Sequence, residues 1–432
     1  MKNIIIVALI LIQAFSVSFG QSKSNKMTYL QYIRENLPAK AEIDVFLNEL
    51  SWAKFDSVTG YILGNYMPHD GMDNSSTIST SQPDGTRTSF MYSDRPCRIN
   101  TYGNSFTMCH QVSDGETWQE YLAGHLGEPV RNYGMGGLGV HQAYRRMLRE
   151  ENSEKKAEYL ILYIWGDDHI RSLLRCRYIL INEWNVKNEK AEGTGVMFHG
   201  NFWANLEMDL NTGLFREYNS RISLPQEMYR MTDPVWMAEN LKDDLALQMY
   251  LFKQKKITEI DIPKLKKLSE VLNYPVDLND GSKLHENVSN LLDQYGFAAT
   301  EYILNKTRAY ASENKKKLMI VLFAPHTVTR TLIENGTRYD QQIVNFLQKN
   351  NFNYFDMNLV HAEDYKCFRL SVQDYYKRYF IGHYNPAGNH FFAYSIKQKV
   401  VDWLEPKPVT YLNKDQRMID FNGYLEGISG DK

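Results

Sequence analysis

The chain has 432 residues and a formal net charge of −2, with 43% of its residues hydrophobic and 23% charged. That is globular material, enough for one large domain or two smaller ones. The near-neutral balance, with no basic stripe, argues against a nucleic-acid-binding surface.

The first residues read as a targeting segment. Lys2 precedes an apolar run from Ile4 to Phe15, and Ser18 and Gly20 supply the small residues of a cleavage site. This is the pattern of a secretory signal peptide over residues 1–20, with Gln21 as the expected mature N-terminus. The apolar run is short for a bilayer span, which needs about 20 residues; an uncleaved anchor is the alternative. No stable membrane insertion is expected after cleavage, so the chain is read as exported, to the periplasm or outside the cell. Export permits two disulfides among Cys97, Cys109, Cys176 and Cys367, with the connectivity open. Their spacing matches no zinc motif, and free buried thiols serve a chain this long equally well.

Residues 21–96 form a lead-in. Apolar spacing at Leu30, Ile33, Leu37, Ile43, Phe46 and Leu50 predicts two short helices broken at Pro38. The stretch from Gly60 to Gly85, rich in Gly, Ser, Asp and Asn, reads as loop, and "TRTSFMYS" as a strand.

A new rhythm starts at residue 97. Strand 98–102 leads to a helix over 105–126, strand "VRNYG" to a helix over 140–150, and then comes strand "YLILYIWG". After an interruption the pattern resumes with "KLMIVLFAP" at 317–325, a helix over 341–349, strand "NYFDM" and a last helix over 387–404. Nearly continuous apolar strands alternating with helices predict an α/β fold whose parallel sheet is covered on both faces. The α/β domain thus comes in two parts, 97–170 and 317–405, followed by a tail over 406–432. The interruption, 171–316, reads as a mixed insertion: a hairpin within 195–218 that turns at Asn211-Thr212-Gly213, then helices over 234–253 and 286–313.

Reactive groups in such sheets gather at the carboxyl ends of the strands. Three strand ends carry suggestive residues: Gly103-Asn104-Ser105, "NYGMGGLG" from Asn132 to Gly139, and "WGDDH" from Trp165 to His169. A fourth segment, "GHYNPAGNHFFA", places His383 in a loop just before the last helix. Ser105 read alone is a helix N-cap, and His383 read alone is structural. Together, and in this order, they suit a nucleophile and its base. His141, His169 and His390 are also scattered near element ends, but nothing in their spacing requires a metal, and no cofactor is expected.

These blocks resemble those of the SGNH (GDSL-type) hydrolases. "YGNSFT" is similar to the family's first block and puts the nucleophile at Ser105; "NYGMGGLGVHQAY" is similar to the second, with the oxyanion-binding glycine at Gly137. "HYNPAGNHFFA" is similar to the last and puts the general base at His383, while "DSVTGYILGNY" resembles the lead-in of longer members. The resemblance covers 98–168 and 317–404. It implies a flavodoxin-like three-layer α/β/α sandwich and acyl transfer through a Ser105–His383 pair. The oxyanion would be held by the N–H groups of Ser105 and Gly137 and by a side-chain amide from the third block.

Two positions depart from the family pattern. The third-block asparagine aligns with Asp167, and its upstream glycine with Trp165; an ionised carboxylate in the oxyanion position only accepts hydrogen bonds. Shifting the block by one brings Asp168 there instead. The positions two and three before His383, where the family has its acid, are Ile381 and Phe380, so Asp374 or Asp356 would have to orient the histidine, with Asn104 and Asp168 as further supporting residues. The expected activity is hydrolysis of a small-molecule or glycan ester, a carbohydrate O-acetyl ester first. Two alternatives are a glycan O-acyltransferase on the same fold and a non-catalytic glycan- or partner-binding module derived from it.

Overall fold

The computed structural model of the protein describes residues 27–180 and 200–412. The expected signal peptide, the start of the hairpin segment at 195–199 and most of the tail lie outside the described residues.

The chain first forms two short helices, Tyr29–Glu35 and Lys40–Asn48, on either side of Pro38. An antiparallel pair, β1 (Ala53–Asp56) and β2 (Gly60–Leu63), follows. The second strand corrects the loop expected from residue 60: its four residues are all buried, which gives them a ladder to satisfy their backbone. The strand expected over "TRTSFMYS" does not form. The segment keeps only an isolated antiparallel bridge between Arg87 and Ser81, while the buried Arg87 guanidinium donates to the carbonyls of Met108, Cys109 and Val112 and to Asp114.

The main sheet is parallel and has five strands: β3 (Ile99–Tyr102), β4 (Arg131–Asn132), β5 (Tyr159–Ile164), β8 (Lys317–Leu322) and β9 (Tyr354–Asp356). They lie in the order β4-β3-β5-β8-β9. The remaining strands, β6 (Asn205–Met208) and β7 (Phe215–Tyr218), make the hairpin of the interrupting segment. Counted along the chain, the sheet order is 2-1-3-4-5, a doubly wound order whose direction of winding reverses between the first and third strands, here β3 and β5.

Helices cover both faces. Leu160, Leu162 and Ile164 belong to a core shared with the insertion, while Tyr159, Ile161 and Tyr163 belong to a second core under the last helix, Pro386–Trp403. This alternation is the period-two pattern of a strand buried on both sides. All four cysteines are free thiols, Cys109 buried and Cys367 exposed.

Two expected helices are each broken. The one over 105–126 is a single turn, Ser105–Met108, a 3₁₀ turn at Asp114–Glu116, and a helix Trp118–Leu126. Cys109 and Gln111 take left-handed backbone angles, φ 61° and 72°, which end the first turn at once. The other, over 234–253, divides at Asp244, whose carboxylate caps Leu245–Lys253 by accepting from Leu247 N–H and also accepts from Arg175 N–H.

Candidate active site

Ser105, Gly137, Trp165 and His383, from the four segments singled out in the sequence, meet at the carboxyl ends of β3 and β5, where the winding reverses. They line one cavity of about 440 Å³, to which His110, Gln111, Gly136, Arg171 and Arg177 also contribute. In open α/β sheets this is the position in which ligands bind.

Ser105 is not the cap of its helix. That role belongs to Asn104, whose Oδ1 accepts from Phe106 N–H at 2.8 Å. Ser105 is the first helical residue, and its Oγ lies 2.7 Å from His383 Nε2. Both side chains are half-buried.

The orientation of His383 comes from an amide. Gln111 Oε1 lies 2.8 Å from His383 N and 3.1 Å from His383 Nδ1. A backbone N–H can only donate, so the group facing it must be the amide oxygen. The other end of the amide agrees, because Gln111 Nε2 donates to the carbonyls of Asp70 at 3.1 Å and Ile381 at 3.4 Å. With an acceptor fixed at Nδ1, the ring carries its proton there and turns the Nε2 lone pair toward Ser105. Gly382 makes this possible: at φ 127°, a Cβ on it would sit 2.7 Å from Gln111 Oε1.

Sequence reasoning missed Gln111. The family pattern points to a carboxylate near His383, whereas the partner is a neutral residue six positions after Ser105. Asp374 is not brought to His383: its exposed carboxylate is taken up by Ser371 and Lys377. Asp356 pairs with Arg338 and caps the next helix.

His383 is held in its neutral form. Burial lowers its pKa well below the ordinary histidine value, and the neighbouring His110, His326 and Arg171 lower it further. His110 stacks edge-on against it, with ring centres 5.0 Å apart. His110 is itself pushed down to about 4 by burial against an opposing pull from Asp70.

The backbone N–H groups of Ser105 and Gly137 have no partner among the described residues. Gly137 stands at φ 84°, and a Cβ there would fall 2.5 Å from Arg177 Cζ and 2.7 Å from Tyr61 Oη. Only glycine brings the backbone into this corner.

Asp167, expected at the oxyanion, is elsewhere. Its side chain is 55% exposed, faces Arg171 at 3.7 Å and lines adjoining cavities rather than the one at Ser105. The buried carboxylate is that of Asp168, which accepts from Asn104 Nδ2 at 2.5 Å, Trp165 N–H at 2.9 Å and Arg171 at 3.2 Å. Burial raises its pKa to about 7 against the pull of Arg171 and these donors. Asp168 thus ties the β3 end to the β5 end and fixes Asn104, hence the helix that carries Ser105. Asp167→Asn is expected to change kcat/KM on an activated ester by less than about fivefold, since an exposed ion pair is worth at most ~1 kcal/mol. A gain of tenfold or more in that assay would return the carboxylate to the oxyanion.

No group that could hold a metal ion occurs among the described residues. His141 is engaged by Glu217 and the Ala204 carbonyl, His169 by Thr300, and His390 lies against the rings of Tyr121 and His125. Compared with known proteins, the chain matches no family model and none of the curated proteins.

Proposed function

We propose that the chain is an exported serine hydrolase of the SGNH type that cleaves carboxylic esters, with carbohydrate O-acetyl esters as its first substrate class. The observation that carries this reading is the 2.7 Å contact between Ser105 Oγ and His383 Nε2 inside the cavity at the strand ends. The strand order of the sheet, which is flavodoxin-like, and the order of the Ser105, Gly137 and His383 segments along the chain support it.

The chemistry follows from these groups. Ser105 Oγ attacks the ester carbonyl carbon while its proton passes to His383 Nε2. The carbonyl oxygen becomes an oxyanion and receives the N–H groups of Ser105 and Gly137, donors whose charge stabilisation is greatest in the transition state. Collapse breaks the bond to the alcohol, which leaves with the proton from Nε2. Water then attacks the acyl-serine, gives its proton to Nε2, and the acid departs as Ser105 recovers its hydrogen. Gln111 stabilises the imidazolium by a hydrogen bond alone, because an amide carries no net charge.

A fluorophosphonate probe tests the reading, since it labels only an activated serine. Labelling of the wild-type chain that disappears in Ser105→Ala is the expected result. An unlabelled, folded wild-type chain would leave a binding module as the better description.

A further inference from the structure

Two guanidinium groups reach the cavity in front of Ser105, and they are satisfied very differently. Arg171 is occupied: it lies 3.2 Å from Asp168 and 3.7 Å from Asp167, and its guanidinium sits 5.0 Å from the Trp165 ring centre. Arg177 is only 8% exposed and has no ion pair among the described residues. It uses Nη1 alone, on the Gly137 carbonyl at 2.5 Å. Its Nε is buried without a partner, and its Nη2 makes no hydrogen bond among the described residues. Asp167, a source of negative field for Arg177, shares an adjoining cavity with it but makes no ion pair with it and is held by Arg171 at 3.7 Å.

A buried charge without a counter-charge is costly, and such a cost is tolerated where a ligand supplies the missing partner. Burial and the neighbouring Arg171 bring the Arg177 pKa down only to about 10, so the group remains a cation at neutral pH. Nε is buried, so Nη2 is the unpartnered nitrogen within a ligand's reach, and a carboxylate docks on it through a charge-assisted hydrogen bond. The same guanidinium holds the backbone of Gly137, next to the oxyanion donors. A carboxylate bound there would lie beside the ester being cleaved.

We propose that Arg177 is a specificity-determining residue and that the substrate ester bears a carboxylate elsewhere on the same molecule, docked on the unpartnered Nη2 of Arg177. This rests on the esterase reading above and adds the substrate class to it. The carboxylate belongs either to the alcohol half, as in an O-acetylated uronic acid, or to the acyl half, as in a dicarboxylic half-ester.

Binding separates these without needing turnover. In the Ser105→Ala chain, affinities are measured for two matched pairs: O-acetylated galacturonate against its neutral methyl ester, and p-nitrophenyl hemisuccinate against p-nitrophenyl butyrate. The charged member of one pair is expected to bind at least tenfold more tightly, and that pair identifies the half that carries the carboxylate. Adding Arg177→Met should bring the two members of that pair to within about twofold. Arg177→Gln, which keeps a donor for the Gly137 carbonyl, should do the same if the methionine variant does not fold. Equal affinities within both pairs in the Ser105→Ala chain, or a preference that survives loss of Arg177, would overturn the proposal. Fluorophosphonate labelling of the wild-type chain reports separately on the esterase reading, so the two can fail independently.

Discussion

Ser105→Ala should abolish turnover of p-nitrophenyl acetate, by about 10⁴-fold or more, while the melting temperature stays nearly unchanged. The size of the loss follows from removing the atom placed to form the acyl bond; knockouts of a serine nucleophile or its histidine elsewhere cost about 10⁶ in turnover. The unchanged stability follows from the local geometry. Helix capping here is done by Asn104 through Phe106 N–H, so the ~1 kcal/mol that a cap contributes is kept. A serine that acted as the cap would give the opposite pattern, with lost stability and intact turnover. His383→Ala should cost as much as Ser105→Ala, and the double variant no more than either alone, because the two groups act in one proton transfer over 2.7 Å. Losses that multiply in the double variant would mean that the residues work independently, and the pair would have to be abandoned.

The sheet was legible because its signal is strong and local. The apolar runs of "YLILYIWG" and "KLMIVLFAP" leave no polar face for a surface helix, and they fold as the buried strands Tyr159–Ile164 and Lys317–Leu322. The helix over 341–349 has a sharp apolar stripe and forms over those same residues. What misled the reading was backbone conformation set by tertiary contacts. Cys109 and Gln111 adopt left-handed angles without the Gly or Asn that normally announces them, so the helix seemed to continue past Met108. That break is what turns Gln111 toward His383. Strain of this kind gathers at functional sites, and here the sequence contains no marker for it.

The site itself was partly legible. Ser105, Gly137 and His383 could be found because each sits where a strand or loop meets a helix, positions fixed by the alternation of elements. Arg177 could not, because it lies in the interrupting segment and only the tertiary fold brings its guanidinium to Gly137. Asp167 and Asp168 were indistinguishable in sequence, and a one-residue offset decides which is buried. Trp165 N–H and Asn104 select Asp168, which leaves Asp167 at the surface with Arg171.

Gln111 gives the second large effect. Gln111→Leu removes the acceptor that holds the Nδ1 proton of His383 and also strips the partner from His383 N–H. Nothing then distinguishes the two tautomers, and the ring is free to turn its protonated nitrogen toward Ser105. Disturbing the tautomer in a related arrangement costs about 10⁴ in turnover, and a loss of about 10²–10⁴ is expected here, seen in kcat more than in KM. The pH profile gives an independent check. His383 is active only when neutral, so kcat/KM is level above its pKa and falls tenfold per pH unit below it. With burial, and then His110, His326 and Arg171 beside it, lowering that pKa, the wild-type profile should stay level through pH 6.5 and decline only in more acidic solution. Gln111→Glu places a carboxylate against Nδ1, and an opposite charge at this distance favours the imidazolium by about 1–3 pKa units. The acid limb should therefore move upward by about one unit or more, although the carbonyls of Asp70 and Ile381 repel the second carboxylate oxygen and hold the shift toward the lower end. Activity at pH 8 should be retained or rise, because the developing imidazolium now meets a full negative charge. An acid limb that lies in the same place for wild type and Gln111→Glu would show that Gln111 does not contact the working base, and a wild-type limb at or above pH 6.5 would mean that His383 is not the group that titrates.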